Sequence, residues 1–345
     1  MARFSKIITA IDSHTAGEGT RLVTGGLPPI HGTTMAEKLA YAQEHLAWVP
    51  GMLLREPRGH KDLFGAVLVP PCAPEADAGL LFMDNTGYEP MCGHAVIGAV
   101  TSLLETGSFE MIDPETRITL DTPAGLVRAA AQVRHGAVVT VTFENVPAFV
   151  WQRNVALMVP EVGGLTADVA FGGNFFLLVN AAQLDIELIP ANAARLADLG
   201  MRILAAGNGQ MAVRHPELPH IDRIIDMRFY AELGDWKGVP EGTHSRNVVV
   251  LGDHMVDRSP CGTGTCAEMA LRHARDELKV GQDFVSESII GTRFIGRIVA
   301  ETVIGHGADA VRAVRPQISG SAHITGLQQF VLEPDDPFPE GFLLA

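Results

Sequence analysis

Two stretches of this 345-residue chain share one arrangement, "PMCGHAVIGAVTSLL" at 90–104 and "PCGTGTCAEMALRHA" at 260–274. Each sets a Cys-Gly pair at the head of a run with helix-like apolar spacing. A cysteine there feels the positive end of the helix dipole and unpaired backbone N–H groups, which lower a thiol pKa and favour thiolate. The glycine that follows lets a ligand approach the backbone closely. One such cysteine is most simply a small buried hydrophobe. Two of them, Cys92 and Cys261, one in each half of the chain, point instead to a pair of acid–base groups viewing one substrate from opposite sides.

Polar neighbours extend the idea. His94 follows Cys92 by two residues and Asp257 precedes Cys261 by four. Taken alone, each reads as a turn or first-turn residue. Beside a thiolate and a bound amine, an imidazole and a carboxylate can pair with the ammonium, orient it and tune the thiols. "GTGT" at 262–265 lacks the Lys-Ser/Thr pair of a phosphate loop, although its backbone N–H groups could hold a carboxylate. "GGNFF" is too short to define a dinucleotide site.

Metal and cofactor chemistry find little support. "CGTGTC" brings Cys261 and Cys266 near one another without the second Cys or His pair of a structural zinc site. Cys266 falls inside the expected helix and reads as core. A pyridoxal cofactor would need a Schiff-base lysine, and none of Lys6, Lys38, Lys61, Lys237 and Lys279 sits in a Gly- or Ser-rich pocket signal; most look like surface residues. A cofactor-free mechanism is expected, with no metal.

The elements that must position these groups are mostly strands. "KIITAID", "GAVLVPP", "AGLLFMD", "ITLDTPAGLVRAAAQV", "AVVTVTFENV" and "NVVVLGD" are β-branched runs bounded by turn residues. Helices are expected over 33–46, 92–105, 192–206 and 265–279. Val96, Ile97, Val100, Leu103 and Leu104 form the apolar set of the second, and Met269, Leu271 and Leu278 that of the last. Each half thus repeats one plan of strands, a Cys-Gly turn and a helix. The simplest meaning is two similar domains facing each other, with a boundary near "NVPAFVWQRN" at 145–154.

Composition narrows the partners. With 47 % hydrophobic and 19 % charged residues, the chain suits a well-packed globule. A formal net charge of −14 argues against nucleic acid and against docking on anionic lipid, and favours a small-molecule substrate held by a local device. Four scattered cysteines do not make a disulfide framework. No signal peptide and no apolar run of about 18 residues is evident, so a cytoplasmic enzyme is expected.

Taken together, "DSHTAGE" (12–18), "EPRGHKDLFGA" (56–66), "MDNTGYEPMCGHAVIGA" (83–99), "GGNFF" (172–176), "RNVVVLGDHMVDRSPCGTGT" (246–265) and "ITGLQQFVLEPDDPFPEGF" (324–342) resemble the proline racemase family along the whole chain. The resemblance implies an α/β fold like that of diaminopimelate epimerase, with two similar domains, each a sheet wrapped round a central helix. They would be 1–145, completed by 322–345, and 146–321, with the active site in the cleft between them. It also implies a homodimer and a cofactor-independent two-base mechanism. One of Cys92 and Cys261 would remove the Cα proton and the other would deliver a proton to the opposite face.

By the same resemblance, Gly93, His94, Gly262 and Thr263 hold the substrate carboxylate or ring nitrogen, Asp257 lies near the nitrogen, and Phe64 walls the ring. Leu251 stands where family members usually carry Phe, leaving room for a ring hydroxyl. Glu268, where relatives often carry Lys, reads as a surface change. Members with Thr at the second base position are trans-3-hydroxyproline dehydratases; Cys at both positions here favours inversion of proline or a hydroxyproline, 4-hydroxyproline 2-epimerisation included. A non-catalytic anion-binding or thiol-redox protein is the alternative from another class.

Overall fold

The computed structural model describes residues 4–234, 243–307 and 310–344, so Lys237 lies outside the described residues. The chain divides into two compact units, Met1–Phe143 with Ser321–Ala345, and Glu144–Gly320.

The first unit carries strands β1 (Lys6–Thr15), β2 (Glu18–Gly25), β3 (Phe64–Val69), β4 (Ala78–Met83), β5 (Tyr88–Glu89), β6 (Glu115–Thr122), β7 (Gly125–Arg134) and β8 (Ala137–Glu144). Its helices are α1 (Met35–His45), α2 (Trp48–Leu54) and α3 (Gly93–Glu105), and the late strand β18 (Ala322–Leu332) belongs to it as well. Hydrogen-bonded neighbours run β18–β1–β2–β3–β4–β6–β7, parallel at β2–β3 and β4–β6 and antiparallel elsewhere. Helix α3 packs against β1, β2, β3, β7 and β18, so the sheet curves round it. Every residue from Gly93 to Leu104 is therefore buried, not only the apolar stripe expected from periodicity. A helix apolar all round belongs at a centre.

Helix α1 starts where a capping box starts it: Thr34 accepts from the Glu37 N–H while Glu37 reaches back to the Thr34 backbone. Helix α2 was not expected, since its Pro50 and Gly51 are poor helix formers. It forms because Val49, Met52, Leu53 and Leu54 pack with Leu39, Ala42, Leu81 and Met83. Lys38, expected at the surface, is buried with Nζ donating to the Pro70 carbonyl.

The second unit contains β9 (Ala148–Val159), β10 (Gly163–Phe171), β11 (Phe175–Asn180), α4 (Ala193–Gln210), β12 (Ile224–Glu232), β13 (His244–Leu251), β14 (Met255–Val256), α5 (Gly262–Ala274), β15 (Asp283–Glu287), β16 (Arg293–Ile304) and β17 (Val311–Gly320). Pairing proceeds β9–β10–β11–β12–β13–β15–β16–β17. It then returns from β17 to β9 through Ala313↔Phe149 and Val314↔Ala148, which closes the strands into a barrel-like ring. Closure protects strand edges that would otherwise template aggregation.

Helix α5 fills the ring, packing on β9, β10, β11, β16 and β17, and is buried from Gly262 to Arg272. It begins three residues before the expected start, because Cys261 itself is the cap, and it ends at Ala274, leaving Leu278 buried but outside the helix. Helix α4 lies on β9, β12 and β13 and buries one face through Leu196, Ala197, Gly200, Ile203, Leu204 and Gly207.

Candidate active site

Each central helix has a cysteine as its N-cap. Cys92 caps α3 from extended backbone (φ −142°), its own side chain making no capping hydrogen bond. It is 5 % exposed, and its Sγ lies 3.4 Å from Nδ1 of His94. Thr15 Oγ1 donates to the His94 carbonyl at 2.9 Å, pinning the first turn to β1. Phe64, at the start of β3, meets the His94 ring edge to face at 4.6 Å. Cys92, Gly93, His94 and Phe64 are thus assembled in the first unit.

Cys261 caps α5 from an unusual conformation, φ +60° and ψ 105°. For a residue with a Cβ this costs on the order of 1–3 kcal/mol and persists only where surroundings over-determine it. Here the Cys261 N–H donates to Ser259 Oγ at 3.1 Å, and its carbonyl accepts from both N–H and Oγ1 of Thr265 at 2.9 and 2.7 Å. The twist aims Sγ back at the helix start. The Gly264 N–H donates to Sγ at 3.4 Å, and Thr263 Oγ1 is 3.6 Å away.

Asp257 is buried just upstream, its Oδ1 accepting from the Ser259 N–H at 2.7 Å. Leu251 ends β13 in register with Asp226 of β12 and with Met255 of β14. Gly172, of the "GGNFF" stretch, lies flush on the first turns of α5: a Cβ there would fall 2.2 Å from the Thr263 carbonyl oxygen.

One electrostatic expectation fails. A helix N-terminus should depress the Cys261 pKa, yet burial first, then the Asp257 and Asp226 carboxylates, push this thiol well above its usual value. Arg228 and the Thr263 hydroxyl pull the other way and are outweighed. Cys261 therefore rests as a thiol. Cys266 is fully buried, its thiol pushed up by burial to about 12 despite a hydrogen bond with Asn145, and it is a core residue. Among the described residues, no group of three or more His, Cys, Asp or Glu side chains could hold a metal ion, and no helix is long and apolar enough to cross a membrane.

Glu268 requires correction. Far from the surface, it is 0 % exposed, bound through Oε2 to Arg228 and through Oε1 to Arg272 and Ser245. Burial pushes its carboxyl up, but Arg228 and Arg272 more than offset this and hold it below the usual range. Sequence reasoning also missed Asp226, Arg228 and Asn174, whose Nδ2 donates to Asp226 at 3.0 Å. A signal was present in "RIIDMRFYAE". Asp226 and Arg228 alternate with Ile224 and Tyr230 on one face of a strand, where charge is out of place unless the face meets a polar core.

The match to known proteins spans the chain. A family model described as Proline racemase covers residues 10–343. A proline racemase of Clostridioides difficile is 46 % identical over 342 residues, 99 % of each chain. A 4-hydroxyproline 2-epimerase of Streptosporangium roseum is 43 % identical over 342 residues, 99 % of this chain and all of that one. Among solved structures, a hydroxyproline epimerase from Agrobacterium vitis with bound trans-4-OH-L-proline aligns with a TM-score of 0.91 at 34 % identity, covering 99 % of this chain and 97 % of that one.

Proposed function

The chain belongs to the proline racemase family, and from that premise we propose that Cys92 and Cys261 are the two bases of a cofactor-independent inversion at Cα of proline or a hydroxyproline. It is an isomerase, as the family is. The observation that carries the two-thiol reading is the duplication itself. Each unit ends a strand-rich wall in a cysteine that caps a buried helix, with a polar side chain within reach of sulfur.

Inversion needs a proton removed from one face of Cα and another supplied to the opposite face. Burial and the Asp257 and Asp226 carboxylates push the Cys261 thiol pKa up, which suits delivery of a proton. Cys92, beside the His94 imidazole, is the partner that removes one; in the reverse direction the roles exchange. Negative charge spreading onto the substrate carboxylate is met by the backbone N–H groups at Gly93–His94 and Gly262–Thr263. A substrate ammonium near Asp257 answers the carboxylate that raises the Cys261 pKa. Phe64 bounds the ring, and Leu251 leaves space for a hydroxyl. We assign the fold to the diaminopimelate epimerase type, each unit being one sheet-wrapped helix.

Proton NMR in D₂O with L-proline, trans-4-hydroxy-L-proline and trans-3-hydroxy-L-proline tests this reading. Loss of the Cα proton signal with appearance of the opposite configuration is expected for at least one of the first two. Cys92→Ser and Cys261→Ser should each abolish inversion. Full activity in either variant overturns the two-thiol mechanism, and an imino or keto product from the 3-hydroxy substrate replaces it with elimination.

A further inference from the structure

Behind Cys261 the closed ring of the second unit holds an ion-pair network that packing alone does not call for. Arg228 reaches in from β12 and is wholly buried; Nε and Nη2 donate to Glu268 Oε2 at 2.9 and 2.7 Å, and Nη2 also to Ser286 Oγ at 3.1 Å. Its remaining arm, Nη1, donates to the carbonyl of Pro260 at 3.0 Å, the peptide that leads directly into Cys261. Buried Arg–Glu–Arg arrangements are weak contributors to stability, because desolvation offsets most of the attraction and apolar replacements often do as well. Their geometry is the better clue to a role.

Gly264 supplies that geometry. A Cβ built on it would lie 3.1 Å from Arg228 Nη1 and 3.1 Å from Cys261 Sγ, so the guanidinium and the sulfur flank one point and are no more than twice that distance apart. The absent side chain is the slot through which cation and thiol approach. The charged groups facing the thiol are Asp257 from the segment before α5, and Asp226 and Arg228 from β12. Arg228 is the cation opposing the two carboxylates. Arg272, the second guanidinium on Glu268, is also answered by Glu232 and Glu277 at 3.2 and 3.7 Å.

We propose that Arg228, locked in place by Glu268, is a positioning residue for Cys261: it fixes the Pro260–Cys261 turn from inside the ring and sets a permanent cation behind the sulfur. It touches no reacting atom. The cation stabilises the thiolate that Cys261 becomes each time it gives up its proton, and the Pro260 bond maintains the strained cap that aims it. The catalytic part of this inference rests on Cys261 being one of the two bases; the electrostatic part does not.

Peptide-resolved alkylation with iodoacetamide, read by mass spectrometry across pH, tests it with Cys92 as internal control. Below its pKa a thiol reacts in proportion to its thiolate fraction, so an upward shift of one unit or more slows alkylation about tenfold or more at a pH of about 8. Arg228→Met should slow Cys261 to that extent and leave Cys92 within about twofold, while Arg228→Lys, which keeps the charge, recovers most of the rate. Turnover should show a lowered kcat with KM nearly unchanged in Arg228→Met. A folded Arg228→Met protein whose Cys261 reacts at the wild-type rate overturns the proposal. Should that variant fail to fold, Arg228→Gln, which keeps an N–H donor for Pro260, is compared with Arg228→Lys by the same criterion. Alkylation needs no turnover, so a shifted Cys261 profile in a protein that inverts neither proline nor hydroxyproline would uphold the electrostatic role of Arg228 and reject the function.

Discussion

At the residue scale, the proposed bases Cys92 and Cys261 each cap a buried helix and are followed by glycine, and that combination of reactive type and position was visible in the letters. Arg228, Asp226 and Glu268 were not, because a charged residue in a strand or helix reads as solvated unless the surrounding elements are known to close over it. Glu268 had one legible sign, the i,i+4 spacing to Arg272, which is equally common on exposed faces. Gly264 shows how narrow the tolerances are. Alanine there gains up to about 1 kcal/mol of helix propensity, but its Cβ meets a Phe176 ring carbon at 3.0 Å as well as the guanidinium and the sulfur. Gly264→Ala should therefore melt within about 5 °C of the wild type and lose about tenfold or more in kcat through a displaced thiol. A calorimetric melt beside a racemisation assay checks both halves.

At the scale of elements, the helices were read from periodicity to within a few residues at most ends, and α2 was lost because burial, not propensity, makes it. Strands β2, β5, β9, β10, β11, β12, β14, β15, β16, β17 and β18 escaped notice. Charge interrupts the apolar pattern of β9, β10, β12, β16 and β17, and ring closure between β17 and β9 is a long-range event with no local signature. One packing consequence can be measured by pH. His215 is pressed edge-on against Phe149 of β9 and Phe171 of β10, and its Nδ1 accepts from the N–H groups of Glu217 and Leu218. Burial drives its pKa from 6.5 down to about 4, only partly countered by Glu217. The unfolded chain binds a proton below 6.5 that the folded one refuses. Stability from this group is thus complete above that pH and is lost as pH falls towards 4, by on the order of 3 kcal/mol. Urea unfolding at steps between these limits should show the loss in the wild type and a flatter dependence in His215→Asn, which keeps an acceptor but does not ionise.

At the scale of the molecule, each of the two compact units holds one buried helix that a cysteine begins. What the letters could not show is that the strands of the second unit close on themselves through β17 and β9. The proposed two-base mechanism also predicts an isotopic outcome that a single base does not. During initial turnover in D₂O the incoming hydron comes from the second, solvent-equilibrated thiol, so deuterium should enter the product enantiomer while recovered substrate keeps its protium. Chiral chromatography with mass detection at low conversion checks this, and equal labelling of both enantiomers would reject it. The returning strand has a consequence for biogenesis. Strand β18 pairs with β1 from Lys6↔Leu332 to Thr15↔Ala322, and at translation rates of roughly 5–20 residues per second β1 waits roughly a quarter of a minute to a minute for that partner. The second unit can close its ring first. The helix that Cys92 caps, though made earlier, gains its last wall only when β18 has left the ribosome, so the older thiol is the one a nascent chain must shelter longest from oxidants and from wrong partners.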